Sequence, residues 1–301
     1  MRGNMSDDKL KGKIAVVAGA TRGAGRGIAV ELGAAGAVVY VTGRTTKSQP
    51  SDYNRPETIE ETADLINGAG GTGIAANLDH TDPVQVEALH ETIRKQHGKI
   101  DILVNDMWGG EGKIRWDIPL WEQSLSQGLH VLRNATESHI ITNHYLLKLL
   151  IQRPGGLLFE VSDGTLDYNL THYRCDCLFY DLAKIIINRL AWSLSIELAK
   201  YQCTSVGITP GWLRSEMMLD HYHVTEENWR NAIRQDAGFI NSETPRFVGR
   251  AIAHLAADPD VSRFNKTSLT AYDVSQIYGF TDLDGRQPNC WGAKENRLPT
   301  E

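Results

Sequence analysis

A glycine-rich turn near the start of the chain constrains the fold more than any other feature of the sequence. The apolar run Ile14–Ala18 leads into the turn, whose glycines are Gly19, Gly23 and Gly25, and a helix-like stretch follows as far as Ala35. Glycine permits the positive φ angles and the close backbone approach that such a turn needs. The helix that follows would present free N–H groups and a positive dipole end to a pyrophosphate. This placement indicates a dinucleotide site, although a turn of this kind could also bind nothing.

Strand-like and helix-like segments alternate along the rest of the chain. Strands are predicted at residues 14–18, 37–42, 73–78, 100–105, 156–161 and 205–209, with a possible seventh at 269–272. These runs are mostly apolar and do not alternate with polar residues, which is typical of a parallel sheet that is buried on both faces. The sequence therefore predicts the α/β class, as a doubly wound Rossmann fold with a parallel seven-stranded sheet flanked by helices.

No internal repeat or linker divides the 301 residues, so one dinucleotide-binding and catalytic domain over residues 1–301 is predicted. Its core is expected at about 10–275, a substrate loop at about 212–240 and a C-terminal extension at about 280–301. The extension and an insertion at 45–56 are expected to be surface loops. Within the substrate loop, Thr225 precedes acidic residues and is a candidate N-cap for a helical lid.

Charge and composition narrow the classes of partner. The net charge is −6 and no basic stripe stands out, so nucleic acid is not expected as a partner. No apolar run approaches the roughly 20 residues that span a bilayer, and the polar start does not resemble a signal peptide. Four cysteines without disulfide-framework spacing suit a reducing compartment, so a cytoplasmic protein is predicted. Cys175, Cys177 and His172 form one short cluster without a second ligand pair, and no metal site is predicted.

The spacing of the glycine turn resembles that of the short-chain dehydrogenase/reductase family. Gly19-xxx-Gly23-x-Gly25 differs from the Gly-x-Gly-x-x-Gly of two-domain dehydrogenases, and Ala18 stands where the family usually has threonine. Further family landmarks follow in order, and they are Asp79, Asn105, Tyr180-xxx-Lys184 and Pro210-Gly211. The resemblance covers residues 13 to about 260. It implies a nicotinamide-dependent oxidoreductase that is commonly a homo-oligomer, either a dimer or a tetramer.

The end of the second strand indicates which nicotinamide cofactor is bound. An acidic residue there usually holds the 2′-hydroxyl of NAD, whereas the 2′-phosphate of NADP needs cations. The run 41–44 contains no acid and ends in Arg44, and Arg22 in the glycine turn supplies a second cation. The two arginines favour NADP(H), although Arg44 could be only a solvated surface residue.

The resemblance implies the remaining cofactor contacts. The glycine turn, with Thr21, would hold the pyrophosphate. The nicotinamide ribose would lie beside Tyr180 and Lys184. The other implied contacts are Asp79 with the adenine ring, the Asn105 backbone beneath the adenine ribose, and Pro210, Gly211 and Ser215 over the carboxamide.

Tyr180 and Lys184 are the candidate catalytic pair. They stand four residues apart at the start of a predicted helix, so both side chains lie on one face. The phenol has an unperturbed pKa near ~10, and a neighbouring ammonium would lower it toward the working range. Tyr180 would then give or take the proton on the substrate oxygen as hydride moves at the adjacent carbon.

The third catalytic position departs from the family. Asp163 stands where the family has a serine that donates to the substrate oxygen, and Ser162 is one residue early, on the opposite face of the strand. An ionised Asp163 would oppose carbonyl reduction, whereas a protonated one could donate the missing hydrogen bond, and Thr165 is a substitute donor. The asparagine that completes the family's proton relay has no secure match, since Ala135 falls near that place with Asn134 beside it.

The substrate side is rich in large apolar side chains, which could line a pocket or simply pack in loop cores. They are Trp108, Trp116, Trp121, Tyr168, Tyr173, Trp212, Met217, Met218 and Tyr222. The family reaction implies a small carbonyl or alcohol substrate, and such a pocket could take an apolar or aromatic one. A catalytically weak NADP(H) sensor or partner-binding protein is the alternative, and an epimerase or dehydratase on the same scaffold stays open.

Overall fold

The computed structural model describes residues 8–110 and 112–295, and its centre is one parallel sheet. The strands are β1 (Ile14–Ala18), β2 (Val38–Gly43), β3 (Thr72–Asn77), β4 (Ile102–Asn105), β5 (Leu157–Val161), β6 (Thr204–Thr209) and β7 (Ser268–Thr270). Their order is β3-β2-β1-β4-β5-β6-β7, and every pair of neighbours is parallel. The predicted doubly wound fold with a seven-stranded sheet is confirmed.

Helices cover both faces of the sheet. They are α1 (Gly23–Ala34), α2 (Ile59–Gly68), α3 (Pro83–His97), α4 (Leu125–Leu132), α5 (Ser138–Leu150), α6 (Leu166–Thr171), α7 (Leu178–Ala199), α8 (Glu216–His221), α9 (Pro245–Ala257), α10 (Ala271–Tyr278) and α11 (Cys290–Glu295). A π-helical turn at Arg133–Glu137 joins α4 to α5. Short 3₁₀ turns occupy Leu120–Glu122, Trp229–Arg234, Ala237–Asn241 and Val261–Phe264.

Two apolar cores form because the central strands bury side chains on both faces. All five residues of β1 are buried. One core lies between the sheet and α1 and α9, with Ile28 and Phe247 at its centre. The other lies on the opposite face, where Val86 of α3 and Leu146 of α5 are fully buried. Each such side chain contributes about 1.5–3 kcal/mol, so burial on two faces makes β1 the anchor of the fold.

The order of the strands reverses beside β1. The chain runs from β1 out to β3 on one side and returns to β4 on the other. Loops at the carboxyl ends of β1 and β4 therefore diverge and leave a crevice between them. Ligands of open α/β sheets bind at such a switch point, so the glycine turn after β1 opens on the expected site.

The end of the chain corrects two predictions. The seventh strand stops at Thr270 rather than continuing to 272, because Thr270 and Asp273 form a capping box that starts α10. The C-terminal extension is not surface coil within the described residues. Phe280 is fully buried and packs on Phe247, and Trp291 in α11 is buried. Residues 296–301 of the predicted extension lie outside the described residues.

The substrate loop also differs from prediction. Thr225 does not cap a helix, since residues 226–228 form a turn and Asn228 precedes the 3₁₀ turn Trp229–Arg234. The helix of this segment, α8, begins earlier, with Ser215 as its N-cap. The insertion 45–56 contains neither helix nor strand, as predicted.

Candidate active site

A cleft of about 770 Å³ lies at the carboxyl ends of the strands. Most of the predicted site residues line it, namely Gly19, Thr21, Arg22, Gly23, Arg44, Asp79, Ser162, Asp163, Tyr180, Lys184, Pro210, Gly211 and Ser215. Gly25 and Asn105 are the two described residues of the predicted set that do not. The glycine turn, the end of β2 and the start of α7 thus meet in one cavity.

The glycine turn is tight enough to require glycine at two positions. Gly19 has φ +84°, and a Cβ there would lie 2.5 Å from the Asp106 carbonyl oxygen. A Cβ on Gly25 would lie 2.4 Å from the Gly19 carbonyl oxygen. Gly25 therefore shapes the turn from behind rather than lining the cleft. Any larger side chain at either place would force the backbone apart.

A carboxylate occupies the amino end of α1. The Gly23 N–H donates to Glu216 Oε2 at 2.9 Å, and Arg26 Nη1 lies 3.5 Å from Glu216 Oε1. Glu216 belongs to α8, in the substrate loop. Helix N-termini stabilise anions through free N–H groups and the helix dipole. Glu216 shows that the amino end of α1 accepts an anion.

The two predicted cationic residues lie in the cleft near the end of β2. Arg22 donates from Nε to Glu57 Oε2 at 3.2 Å and from Nη2 to Ser51 Oγ at 3.1 Å. Arg44 pairs with Asp52 at 3.0 Å and with Asp79 at 3.6 Å. Both guanidinium groups are therefore paired with acids, and one of these acids, Asp52, lies in the insertion.

Asp79 is held as a carboxylate at the end of β3. Burial acts to raise its pKa, but hydrogen bonds from the Thr81 N–H and hydroxyl and the charge of Arg44 outweigh burial and lower it. The side chain lines the cleft close to Arg44.

Tyr180 and Lys184 lie on the cleft side of α7 among aromatic rings. The Trp108 and Trp116 rings meet the Tyr180 ring edge-on, with centroids 5.5 Å and 5.3 Å away. Lys184 Nζ lies 3.6 Å from the Trp108 ring centroid and 5.0 Å from that of Tyr180. The ammonium group therefore lies between the two rings, and Lys184 lines the cleft.

Comparisons with known proteins decide the family. The short chain dehydrogenase family model matches residues 13–224. The chain belongs to the short-chain dehydrogenase family. Members of this family are oxidoreductases that use nicotinamide cofactors, so this chain is an oxidoreductase of that kind.

Several relatives and solved structures resemble this short-chain dehydrogenase. Dehydrogenase/reductase SDR family member 1 of Mus musculus is 29% identical over 290 residues, covering 92% of this chain and 85% of that protein. The 3-oxoacyl-[acyl-carrier-protein] reductase FabG of Aquifex aeolicus is 28% identical, covering 83% and 92%. A short-chain dehydrogenase structure from Mycobacterium thermoresistibile superposes with a TM-score of 0.75 at 21% identity, covering 93% of this chain and 91% of that one. A 7α-hydroxysteroid dehydrogenase solved with NADH and a 7-oxo bile acid gives 0.69 at 22%, covering 88% and 95%.

Asp163, which the resemblance places at the position of the family serine, forms an ion pair. Asp163 Oδ2 accepts hydrogen bonds from the Tyr180 hydroxyl and from Arg174 Nη2, the latter at 2.6 Å. Asp163 thus accepts from both partners in this structure. Thr165, the other possible donor, caps α6 through its hydroxyl, which accepts from the Tyr168 N–H, and it does not line the cleft.

Ser162 lines the cleft, and its hydroxyl is engaged by the backbone of α7. Its hydroxyl donates to the Lys184 carbonyl oxygen at 2.9 Å. This contact fixes α7 against the end of β5. Ser162 therefore acts on the position of the Tyr180 and Lys184 backbone rather than on a substrate oxygen.

The expected lowering of the Tyr180 pKa is wrong for this structure. Burial raises the pKa of the phenol well above its usual value near 10, and the charge and hydrogen-bond acceptance of Asp163 raise it further. Arg174 acts in the opposite direction. The physical reason is that the carboxylate contacts the hydroxyl directly, while the Lys184 ammonium lies over the Trp108 ring.

The Asn105 side chain points into the protein and joins a buried hydrogen-bond network. The sequence did not predict this network. Its amide donates to Glu160 Oε1 at 2.9 Å and to Asn143 Oδ1 at 3.1 Å. The fully buried Glu160 of β5 also pairs with His139 at 2.6 Å. His139 Nε2 lies 3.1 Å from the Met107 carbonyl oxygen. This buried network holds the loop after β4, which is the floor of the cleft.

The π-helical turn determines which residue occupies the position expected for the relay asparagine. Asn134 lines the cleft, together with Ser138, whereas Ala135 is buried and does not. The Asn134 amide lies 2.7 Å from His130 Nε2. π-helical turns often occur at functional sites because they displace a side chain by one position. A count of residues along a regular helix could not place it.

The apolar residues predicted around the substrate divide into two groups. Trp108, Trp212, Met217 and Met218 line the cleft, and Trp116 contacts Tyr180. Trp121 and Tyr173 are exposed, with 84% and 56% of their surface accessible. Tyr222 packs against Phe239, and Tyr168 against Trp291.

Sequence reasoning missed two contributions to the cleft. Five consecutive residues of the insertion line it, namely Gln49, Pro50, Ser51, Asp52 and Tyr53. The second is Arg174, which lies between Asp163 and Tyr180 in the chain and bonds the Asp163 carboxylate at the cleft. No helix of the described residues is long and apolar enough to cross a membrane.

Proposed function

We propose that this protein is an NADP(H)-dependent oxidoreductase that transfers hydride between the nicotinamide and a carbonyl or alcohol substrate. The observation that carries the proposal is the meeting of Tyr180 and Lys184 with the glycine turn in one cleft. Tyr180 is the acid/base and Lys184 assists it. An isolated Tyr-xxx-Lys pair would mean little, but a pair at the switch point of a doubly wound sheet faces the place where a dinucleotide binds.

The residues present fit such a cofactor. Gly19 and Gly25 leave no room for a Cβ, and the α1 N-terminus already holds the Glu216 carboxylate. Thr21, Arg22 and Gly23 would hold the phosphates. The adenosine end is assigned to Arg44, Asp79 and the Asn105 backbone, and the nicotinamide end to Tyr180, Lys184, Pro210, Gly211 and Ser215. When bound, the nicotinamide supplies or accepts the hydride.

Two arginines support NADP(H) over NAD(H). Arg44 bonds Asp52, which is 68% exposed, so a 2′-phosphate could replace this carboxylate at little desolvation cost. Arg22 bonds Glu57, which is 7% exposed and is also paired with Arg55. A phosphate would therefore replace Asp52 as the partner of Arg44. At Arg22 it would bind beside Glu57, whose ion pair with Arg22 would stay in place.

The chain's own groups divide the remaining work. Tyr180 Oη holds or takes the proton at the substrate oxygen, and Ser162 fixes the position of α7 beneath it. Trp108 and Trp116 shield the hydroxyl from water, which strengthens local electrostatics. Asp163 contacts the same hydroxyl and accepts its hydrogen bond.

The lining favours an apolar or aromatic carbonyl or alcohol. Trp108, Trp212, Met217 and Met218 present rings and thioethers to the cleft beyond Tyr180. Such side chains recognise apolar surface and leave polar recognition to a few groups.

A second candidate function is an NADP(H)-binding sensor or partner-binding protein with little turnover. The contact between Asp163 and Tyr180 favours it, because a phenol whose pKa is raised well above 10 is a poor proton donor at neutral pH. The two candidates share the cofactor site and differ in turnover alone.

We further propose a cytoplasmic homo-oligomer, either a dimer or a tetramer. Several large apolar side chains on α4, α5 and α7 are exposed, and they are Leu125, Leu129, Ile140, Ile186 and Ile196. Exposed apolar surface of this kind supports burial against a second copy. Sedimentation velocity on the wild type and on Leu129→Glu tests it, and a monomeric wild type would remove this part.

The test of the proposed function is a fluorescence titration with NADPH and NADH, followed by turnover on a panel of aldehydes, ketones and quinones. Arg44→Ala is expected to weaken NADPH binding more than NADH binding, and Asp52→Asn to strengthen NADPH binding. Arg94→Ala, an exposed arginine of α3, is the matched control. Tyr180→Phe is expected to abolish turnover and keep binding. Tight binding without turnover of any panel member favours the sensor, and absence of binding removes both candidates.

A further inference from the structure

The contacts of Asp163 with Tyr180 and Arg174 define its role. Its Oδ2 accepts the Tyr180 hydroxyl proton and one guanidinium proton of Arg174. Arg174 is 5% exposed at its side chain, while Asp163 is 33% exposed. A buried guanidinium beside a carboxylate stabilises the charged form of the carboxylate. Asp163 is thus a carboxylate with one side on Tyr180 and another side open to solvent.

The chain builds a dedicated support for Arg174. The guanidinium carbon lies 5.0 Å from the Tyr168 ring centroid and 5.3 Å from that of Trp291. The Trp291 indole N–H donates to the Pro210 carbonyl oxygen at 2.9 Å. The Arg174 N–H donates to Asp181 Oδ1 at 3.1 Å. The C-terminal helix and the start of α7 therefore fix this arginine from two sides.

The turn after Arg174 is strained. Cys175 and Asp176 have φ +52° and +43°, and neither is glycine. Consecutive left-handed residues are costly and persist where surrounding contacts hold them. Here the contacts are those of Arg174 with Asp163, Tyr168 and Trp291.

The groups facing the Tyr180 hydroxyl come from every side of the site. Asp163 follows β5, Arg174 and Cys175 precede α7, and Lys184 lies one turn along α7. The loop after β4 contributes the uncharged rings of Trp108 and Trp116. Among these groups, Asp163 accepts the hydrogen bond of the hydroxyl.

We propose that Asp163 is the proton acceptor of Tyr180, that Arg174 is the positioning residue that keeps Asp163 charged and in place, and that the pair directs the site toward oxidation of alcohols. The inference rests on the proposed function, whose acid/base is Tyr180. A hydroxyl that already donates to a carboxylate accepts a proton from a substrate alcohol more readily than it gives one to a carbonyl.

The proton and electron balance is complete. The substrate O–H bond breaks and its proton bonds to Tyr180 Oη, while the Tyr180 O–H bond breaks and that proton bonds to Asp163 Oδ2. The substrate C–H electron pair leaves as hydride, with the oxidised nicotinamide of the proposed function as its acceptor. The substrate carbon is oxidised and the nicotinamide reduced. Asp163 then releases its proton to solvent through its exposed side.

The first test needs no cofactor. The full-length protein carrying ¹³Cζ-tyrosine is titrated by NMR, and Tyr180→Phe identifies the Tyr180 resonance. Asp163→Asn is expected to lower the phenol pKa by about one to three units relative to the wild type. Arg174→Met is expected to raise it, with Arg174→Lys closer to the wild type. Asp167→Asn, an exposed acid of α6, is the matched control and is expected to have no effect. An unchanged or raised phenol pKa in Asp163→Asn overturns the proposal.

The second test measures turnover in both directions against pH. Asp163→Asn is expected to lose alcohol oxidation by about 10²-fold and to lose the acid limb of the pH profile. Asp163→Ser is expected to shift the ratio of rates toward carbonyl reduction. A ratio of oxidation to reduction that Asp163→Ser leaves unchanged overturns the directional part. If Arg174→Met does not fold, Arg174→Lys and the nearly isosteric Asp163→Asn still decide.

The two proposals fail in different ways. Absence of NADP(H) binding by the wild type removes the proposed function, yet the tyrosine titration still shows whether Asp163 acts on Tyr180. A normal cofactor titration with a Tyr180 phenol indifferent to Asp163 removes this inference alone.

Discussion

Replacing Glu216 by glutamine is expected to tighten binding of NADPH. In this structure the Glu216 carboxylate accepts the Gly23 N–H at 2.9 Å and lies 3.5 Å from Arg26. A pyrophosphate needs the same N-terminus of α1, so it must displace a bound anion before it can settle. The Glu216→Gln substitution keeps the side-chain length and removes the charge.

The magnitude follows from what the carboxylate gives up. A hydrogen bond to a charged acceptor contributes about 1.5–3 kcal/mol, and an anion at a helix N-terminus about 0.3–1 kcal/mol. The Glu216 side chain is 26% exposed, so water replaces part of both contributions when it leaves. The net cost of displacement is then about 1.5 kcal/mol, which corresponds to roughly tenfold in the dissociation constant.

Fluorescence titration with NADPH at low and high salt measures this effect. The dissociation constant of Glu216→Gln is expected to be about tenfold lower than that of the wild type, with a smaller gain at high ionic strength. Glu227→Gln, an exposed acid of the same loop, is the control for net charge and is expected to change little. Equal or weaker binding by Glu216→Gln would show that Glu216 does not compete for the cofactor site.

Three further expectations concern stability. Gly25→Ala places a Cβ 2.4 Å from the Gly19 carbonyl oxygen and is expected to lower the free energy of unfolding by about 1–3 kcal/mol, measured by thermal unfolding. Gly68→Ala, whose Cβ meets nothing within 4 Å, is the control and is expected not to lower it. Trp291→Ala removes a buried ring and its bond to Pro210 and is expected to cost about 3 kcal/mol, measured by urea unfolding. Burial and the charge of His139 lower the pKa of His80 to about 3, so as the pH falls His80 takes up a proton in the unfolded chain before it does so in the folded protein. The contribution of neutral His80 to the free energy of unfolding is therefore complete above pH 6.5 and is lost as the pH falls toward 3. It is expected to be about 2 kcal/mol smaller at pH 5 than above pH 6.5, and His80→Gln is expected to abolish this pH dependence.

The sheet was predictable because burial of a parallel strand leaves a local pattern. β1 is a continuous apolar run, and it was placed with both of its ends correct. The glycine turn was predictable for a related reason, since Gly19 and Gly25 meet a steric demand of the turn itself. Features that depend on neighbours along the chain can therefore be predicted from the sequence alone.

Contacts between distant segments left no such pattern. Glu160 looks like an interruption of β5 until α5 brings His139 and Asn143 against it. The extension from 280 reads as polar coil because two buried rings, Phe280 and Trp291, do not make a periodicity. In both cases the partner lies on another element, so the sequence of the segment carried no sign of the contact.

The departure at Asp163 illustrates how one backbone geometry can carry altered chemistry. The end of β5 and the start of α7 place Asp163 against the Tyr180 hydroxyl. A serine there would be neutral and would need no partner, but a carboxylate next to a buried phenol requires a cation. The longer connection before α7 supplies it as Arg174, and the C-terminal helix supplies the Trp291 ring that supports the arginine. Asp163, the strained turn and the buried C-terminal extension are therefore parts of one arrangement, and each accounts for a feature that the sequence left unexplained.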